Sequence, residues 1–460
     1  MAEKIVIIGG GPGGYVAAIR LNKLGYKTTL IEKERIGGVC LNWGCIPTKA
    51  LYRSAEVFNS MKISESFGID LEGSVSVNMG KVQERKNQIV DTMVSGIELL
   101  LKSNGVEVIF GNAEMIDNYS LSLNGEIIQF DKLIISTGSV SFIPPIKGVK
   151  NDGVITSTEL LSLDKVPESL VIVGGGVIGM EFAGIFSSFG TKVTVLEALP
   201  TILPGMDGEL VKRVKPILKK KGIEVMTSVM VNEILQEEGK LKVKMTGKQG
   251  ETEVLGDKVL ISTGRKANVL GLGLEKTEII LERKGIQVDE NFMTNVPGIY
   301  AIGDVNGKVL LAHAASAQGE YVAEHIAGKE AAIGQFIPGC VFMFPEMASV
   351  GYTEEQLKEK GITYKTSKSL FGGNGKALSM GEGEGIIKII SDDDYKIIGV
   401  HILGPHASDL ISEGLIACEK GMTVNDFKHV IHAHPTLSEN FYESVMGLKG
   451  EAIHIVPSRR

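Results

Sequence analysis

Residues 5 to 32 read IVIIGGGPGGYVAAIRLNKLGYKTTLIE, and residues 170 to 197 read LVIVGGGVIGMEFAGIFSSFGTKVTVLE, a constant offset of 165. Each is an apolar run of strand length, a glycine turn, an amphipathic helical stretch and a second apolar run. In each copy a G-x-G-x-x-G follows the first run directly: Gly9, Gly11 and Gly14, then Gly174, Gly176 and Gly179. The first glycine permits the turn, the second lets backbone approach a pyrophosphate, and the third lets helix and strand pack closely, while the helix N-terminus holds the anion. Each copy also ends its second strand in an acid, Glu32 and Glu197, both 18 residues after the third glycine and placed to bind a ribose hydroxyl pair. A lone pattern of this kind is weak, and glycine turns in an ordinary α/β protein would produce it. Two matched copies with both acids predict two Rossmann-like units and two dinucleotides.

A shorter echo works outward from these. LIISTG at 133 to 138 and VLISTG at 259 to 264 are apolar strand runs ending in Thr-Gly, and read as the closing strands of the two units. One domain is therefore expected over 1–142 and a second over 143–264, with the boundary near Pro144 and Pro145. Between Gln83 and Leu101 the spacing of Ile89, Met93, Ile97 and Leu100 predicts a helix inserted in the first unit. A segment over 265–337 follows. From Pro338 to residue 460, strand-like pieces alternate with helical ones such as Ser408 to Gly421, which predicts a separate α+β domain. The expected class is α/β with two Rossmann-like dinucleotide-binding domains and this carboxy-terminal α+β domain.

Composition agrees with a large globular chain. At 460 residues it is too long for one core. Its 48 Lys and Arg against 55 Asp and Glu give a net charge of −7, which argues against a nucleic-acid partner. No basic n-region, long apolar h-region or membrane span opens the sequence, so cytoplasmic residence and no membrane are expected. Glycine is in excess, 57 residues, about 12% against a usual ~7%, as backbone packed on phosphate-bearing cofactors would require.

The cysteines stand at 40, 45, 340 and 418. Cys418 shares a helical face with Ile411 and Leu415, so packing is expected for it, and Cys340 is read the same way. Cys40 and Cys45 lie in GGVCLNWGCIPTKAL, residues 37 to 51, soon after the first acid. A purely structural disulfide there closes so short a loop that it contributes only ~2 kcal/mol. A zinc site wants four ligands, and no second cysteine pair or nearby histidine accompanies this one. A redox-active dithiol is the reading that remains, and its thiolate needs a cation or helix N-terminus. Pro47 suits a first helical position and Lys49 lies four residues past Cys45, although a solvated surface lysine has the same spacing.

Near the other end stands HAHPTLSEN, residues 432 to 440. His434 is a candidate base for thiol chemistry, with Glu439 to orient its imidazole. Two other readings stay open: His432 and His434 as a metal pair, and Thr436 with Glu439 as a helix capping box. His434 precedes Pro435, which favours an extended conformation and allows a cis bond.

Two dinucleotide fingerprints, GGVCLNWGCIPTK between them, AIGD at 301 to 304 and HPTLSE near the end together resemble the flavin-dependent disulfide reductase family over essentially the whole chain. The resemblance implies FAD on the first fingerprint, with Glu32 at its ribose, Asp304 near the ribityl chain and phosphates, and Thr137, Gly138 and Ser139 lining the site. Ala113 and Ala312 align with backbone contacts to FAD. It implies NAD on the second fingerprint, with Glu197 at the ribose and Val229 and Gly264 as further contacts. A carboxylate at that ribose repels the 2′-phosphate of NADP, so NAD is preferred. Lys49 and Glu181 align with a pair beside flavin and nicotinamide. Segment 265–337 would complete the FAD site, and 338–460 would dimerise, the histidine coming from the second chain. The implied activity is oxidation of protein-bound dihydrolipoamide through Cys40 and Cys45. The implied partners are a second copy and a lipoyl-bearing carrier of a 2-oxo acid dehydrogenase or glycine cleavage complex. Another FAD-dependent disulfide reductase and a non-catalytic flavin and NAD sensor are the alternatives. Glu197 argues against NADP-linked members, and the ending IHIVPSRR lacks the cysteine pair of a mercuric reductase. Ser136 and Ala267 depart from residues common in the family, alanine and proline, without removing a reactive group.

Overall fold

The computed structural model describes residues 3–456. Each long repeat forms the core of a five-stranded parallel sheet. In the first the order is Ile299–Ala301, Lys132–Ile135, Ile5–Ile8, Thr28–Glu32, Glu107–Phe110. In the second it is Ile223–Thr227, Lys192–Glu197, Ser169–Val173, Lys258–Ile261, Val154–Ile155. The strands are nearly continuous apolar runs because both faces are covered: helices pack on one, and a three-stranded antiparallel sheet packs on the other, Ala113–Met115, Ser120–Leu123 and Glu126–Gln129 in the first unit, Met230–Glu237, Lys240–Gly247 and Gly250–Gly256 in the second. Ile8 lies beside both Ile31 and Ile135, and Val173 beside both Leu196 and Ile261. Each glycine turn therefore leaves the carboxyl end of a strand flanked on both sides, the switch point where such sheets bind ligands.

The echoed strands are not sheet edges. Lys132–Ile135 is flanked by Ile299–Ala301, so the chain returns to the first sheet long after leaving it. The helix that follows, Ala312–Ile326, packs along Pro12–Lys23 so closely that a Cβ on Gly319 would sit 2.5 Å from the Gly13 carbonyl oxygen.

Residues beyond 338 form a five-stranded antiparallel sheet in the order Gly339–Val341, Glu346–Gly351, Ile397–Gly404, Ile386–Ser391, Lys365–Leu370. Helices Ala407–Lys420 and Ser438–Gly447 lie against it, and Cys418 is buried in the resulting core. A buried ion network ties this sheet to the second nucleotide unit. Lys388 Nζ meets Asp207 Oδ2 at 2.8 Å and Glu354 Oε1 at 2.5 Å. Burial pushes the Glu354 carboxyl up, but the bonds from Lys388 and Tyr364 outweigh it and hold its pKa down to about 2. Among the described residues no helix is long and apolar enough to cross a membrane.

Two local expectations need correction. The inserted helix exists, Met79–Ser103, but its buried face is Val90, Val94, Ile97 and Leu101; Met93 and Leu100 are exposed. Pro47 is not the first helical residue, because the helix Cys45–Lys62 starts at Cys45 with Gly44 as its N-cap.

Candidate active site

A continuous cavity of about 1980 Å³ runs past both glycine turns. Pockets for drug-sized ligands span about 300–1,000 Å³, so this one has room for two dinucleotides. All the predicted nucleotide-site residues line it except Gly14 and Gly179, and Cys40 and Cys45 line it too. Gly14 and Gly179 instead pack against the turn: a Cβ there would lie 1.8 Å from the Gly9 carbonyl oxygen and 2.1 Å from that of Gly174.

The middle glycines differ. A Cβ on Gly11 would find nothing nearer than 3.9 Å, and one on Gly176 nothing within 4 Å, so open space lies where a pyrophosphate approaches the backbone. The acids hold matched positions. Glu32 accepts from the Gly10 amide (2.7 Å) and the Glu34 amide (2.8 Å); Glu197 accepts from the Gly175 amide (2.6 Å) and the Leu199 amide (2.7 Å). These bonds aim each carboxylate across its turn, where ribose hydroxyls would meet it. The donors and space suit FAD and NAD.

On the first side, the Ser139 hydroxyl donates to Asp304 Oδ2 at 2.5 Å and the Thr137 hydroxyl to the Asn268 carbonyl at 2.7 Å. Arg265, which the sequence reading passed over, donates from Nε to Ser139 Oγ (2.7 Å) and from Nη2 to the Ser139 carbonyl (2.6 Å). Its signal was an arginine directly after a strand-ending Ser-Thr-Gly, a cation with no solvent reason to be there.

Cys40 sits on the short helix Gly38–Trp43, and Cys45 opens the next helix. Both are free thiols. Their mutual hydrogen bond, with Cys40 as donor, and secondly Lys49 outweigh burial and Glu181 and lower the Cys45 pKa to about 7. The same bond and burial push Cys40 upward. Position at a helix N-terminus adds to the stabilisation of a Cys45 thiolate.

Lys49 is not a solvated surface lysine. Its Nζ lies 3.0 and 2.9 Å from the two carboxylate oxygens of Glu181 and 4.3 Å from the Phe342 ring centroid. Glu181 is almost fully buried and accepts the Phe342 amide at 3.0 Å. Lys49 is on the helix Cys45–Lys62 and Glu181 on the helix Val177–Phe189, so the pair bridges the two nucleotide units at the wall of the cavity. Phe342 had no sequence signal, because it meets Glu181 from 161 residues along the chain, just past the strand Gly339–Val341.

His434 and Glu439 stand outside the cavity. His434 Nδ1–H donates to Glu439 Oε1 at 2.8 Å, and its side chain is 80% exposed, leaving Nε2 open. Glu439 Oε2 accepts the Thr436 amide at 2.8 Å. Only half of the expected capping box forms, since the Thr436 hydroxyl donates to the Ala433 carbonyl instead. Burial raises the Glu439 pKa, but the Thr436 amide and His434 outweigh it and lower it overall. The His434–Pro435 bond is cis. Among the described residues no three metal-ligating side chains gather.

Paired nucleotide turns around a dithiol define a class of flavin- and pyridine-nucleotide-linked disulfide oxidoreductases. The chain belongs to the pyridine nucleotide-disulphide oxidoreductase family, which residues 3–319 match, while residues 337–445 match the family's dimerisation domain. A dihydrolipoyl dehydrogenase of Bacillus subtilis (strain 168) is 42% identical over 98% of this chain and 98% of its own. The dihydrolipoyl dehydrogenase of Geobacillus stearothermophilus is 43% identical over 98% of this chain and 97% of its own. Among solved structures, LpdA from Mycobacterium tuberculosis superposes with a TM-score of 0.90 at 26% identity, covering 97% of this chain and 100% of that one. The HOCl-induced flavoprotein disulfide reductase RclA from Escherichia coli gives 0.87 at 29% identity, over 96% and 99%.

Proposed function

We propose that the chain oxidises protein-bound dihydrolipoyl groups to the cyclic disulfide in the cytoplasm, with NAD as final acceptor, in the service of a 2-oxo acid dehydrogenase or glycine cleavage complex. The observation that carries this is Cys45, a thiol with a pKa near 7 inside the one cavity that both glycine turns share. In this reading residues 1–142 and 265–337 hold FAD, 143–264 hold NAD, and 338–460 pair two copies. When bound, FAD accepts the electron pair from the dithiol and NAD carries it away as hydride.

The chain's own residues handle the thiols. With Cys40 and Cys45 oxidised to a disulfide, His434 Nε2 takes the proton of one substrate thiol, and the new thiolate attacks Cys40 Sγ. The Cys40–Cys45 bond breaks and Cys45 leaves as a thiolate, stabilised by Lys49 and its helix N-terminus. The second substrate thiol then attacks the mixed disulfide, closing the substrate ring and releasing Cys40, whose sulfur takes up that thiol's proton. Two electrons now reside in the pair. Glu439 holds His434 in the tautomer with Nε2 unprotonated. Lys49 and Glu181 keep compensating charges beside the reacting sulfur.

His434 is exposed and lies outside the cavity of its own chain, so the base that serves one cysteine pair comes from the second copy. A hybrid experiment tests this. Chains carrying Cys45→Ser and His434→Gln are each expected to keep no more than a small residual rate with dihydrolipoamide and NAD. Co-expressed as a hybrid dimer they recover one intact site, about half the wild-type rate per dimer. No recovery in a proven hybrid contradicts the two-chain site. Formation of NADH at close to the wild-type rate by either variant alone contradicts the assigned roles.

A further inference from the structure

His434 is carried by a turn with few anchors. Of the nine residues between the buried Phe427 and the buried Leu437, seven are exposed; His432 and Thr436 are the exceptions. Within its own chain, a segment of this kind is not held to a fraction of an ångström by apolar packing. Its position rests on side-chain bonds reaching in from neighbouring elements.

On the carboxyl side these bonds come from Asn374, whose Nδ2 donates to the Thr436 carbonyl at 3.0 Å, and from Glu439. On the amino side Lys428 Nζ bonds Glu451 Oε1 at 3.1 Å where the turn begins, and nearer to His434 there is one more. His432 Nε2 meets Glu413 Oε1 at 2.7 Å, with Glu413 on the helix Ala407–Lys420, and the His432 ring packs 5.3 Å from that of Tyr442. The carboxylate only accepts, so Nε2 is the donor. His432 Nδ1 is buried without a protein partner and its side chain is 10% exposed. Two histidine–carboxylate pairs thus stand two residues apart, with opposite ring nitrogens engaged. One leaves a nitrogen facing outward. The other has no nitrogen that a substrate thiol can reach.

We infer that His432 and Glu413 form a positioning pair that sets the location of His434, a role resting on the assignment of His434 as the base. The pair ties the amino side of the turn to the helix Ala407–Lys420, as Glu439 ties the carboxyl side to the helix Ser438–Gly447. His432 acts only through His434.

The test uses the full-length FAD-loaded dimer. His432→Phe keeps a ring against Tyr442 but cuts the bond to Glu413, and is expected to lower kcat/KM for dihydrolipoamide roughly 10- to 100-fold, the scale of a displaced catalytic group. His432→Gln, which keeps a donor for Glu413, recovers most of it. NADH-driven reduction of ferricyanide, which needs no base at the cysteines, stays unchanged in both. Placed in a His434→Gln background, His432→Phe produces no further loss. An unchanged kcat/KM in His432→Phe overturns the inference, as does an equal loss in both backgrounds or a parallel loss of ferricyanide reduction. If His434→Gln alone has no effect, the assignment of the base fails instead, a result distinguishable from these.

Discussion

The two nucleotide-binding units make the same bonds around their glycine turns and diverge directly after their acids. Past Glu32 the first unit enters Gly37 and the two helices that carry Cys40 and Cys45. Past Glu197 the second runs through Pro204 to Asp207, which caps the helix Gly208–Lys220 and pairs with buried Lys388. In the proposed reading the duplicated part binds and the unduplicated part reacts. Where the second unit contributes to the chemistry, it does so through Glu181, on the helix that its own turn starts.

If the units are alike in binding but separable in role, equivalent substitutions should have different consequences. The largest effect is expected from Gly14→Ala and Gly179→Ala, whose Cβ atoms would meet backbone oxygen at 1.8 and 2.1 Å. Overpacking of this kind costs about 1–3 kcal/mol even where neighbours relax. Gly14→Ala is expected to purify without flavin and without activity. Gly179→Ala should keep the flavin absorbance and its reduction by dihydrolipoamide, yet form no NADH. Identical losses in both would break the comparison.

Next is Glu197→Gln. Hydrogen bonds to a charged group contribute about 1.5–3 kcal/mol, so KM for NAD should rise roughly 10- to 100-fold while flavin content holds. An unchanged KM would detach Glu197 from the ribose.

The smallest effect separates the cysteines. Alkylation of reduced Cys45 should be half-maximal near pH 7, because its lowered pKa makes thiolate available above that pH. Between pH 7 and 9 its rate should climb only about twofold, the change in thiolate fraction. Burial pushes Cys340 up to about 11 and Cys418 up to about 12, so mass spectrometry should find both unmodified over that range.

What was legible in the sequence was local or repeated. Glycine turns and their acids declare themselves within thirty residues, since the turn, the helix and the second strand are bound to one another by chain geometry. The helix Met79–Ser103 was legible but its buried face was not. Apolar residues surround more of it than one neighbour covers, and Met93 and Leu100 lose to Val90 and Leu101 only because of where other elements lie. Lys49 and Glu181 are 132 residues apart and their pairing came from the family resemblance, not from spacing. Arg265 had only its place after Ser-Thr-Gly to mark it, and Phe342 and Glu413 carried no local pattern, because each meets its partner through the packing of separate elements. The capping-box spacing at Thr436 and Glu439 was real, but the hydroxyl found a nearer carbonyl.

The central claim is that electrons enter at the cysteine pair and leave at the second glycine turn. Its most direct test is anaerobic addition of dihydrolipoamide to the FAD-loaded protein, then NAD, with the flavin spectrum and NADH recorded in wild type and Cys45→Ser. The account predicts a long-wavelength band from thiolate Cys45 against bound flavin in the wild type alone, followed by NADH on addition of NAD. An oxidised, unchanged flavin spectrum in the wild type, or equal NADH from Cys45→Ser, would contradict it.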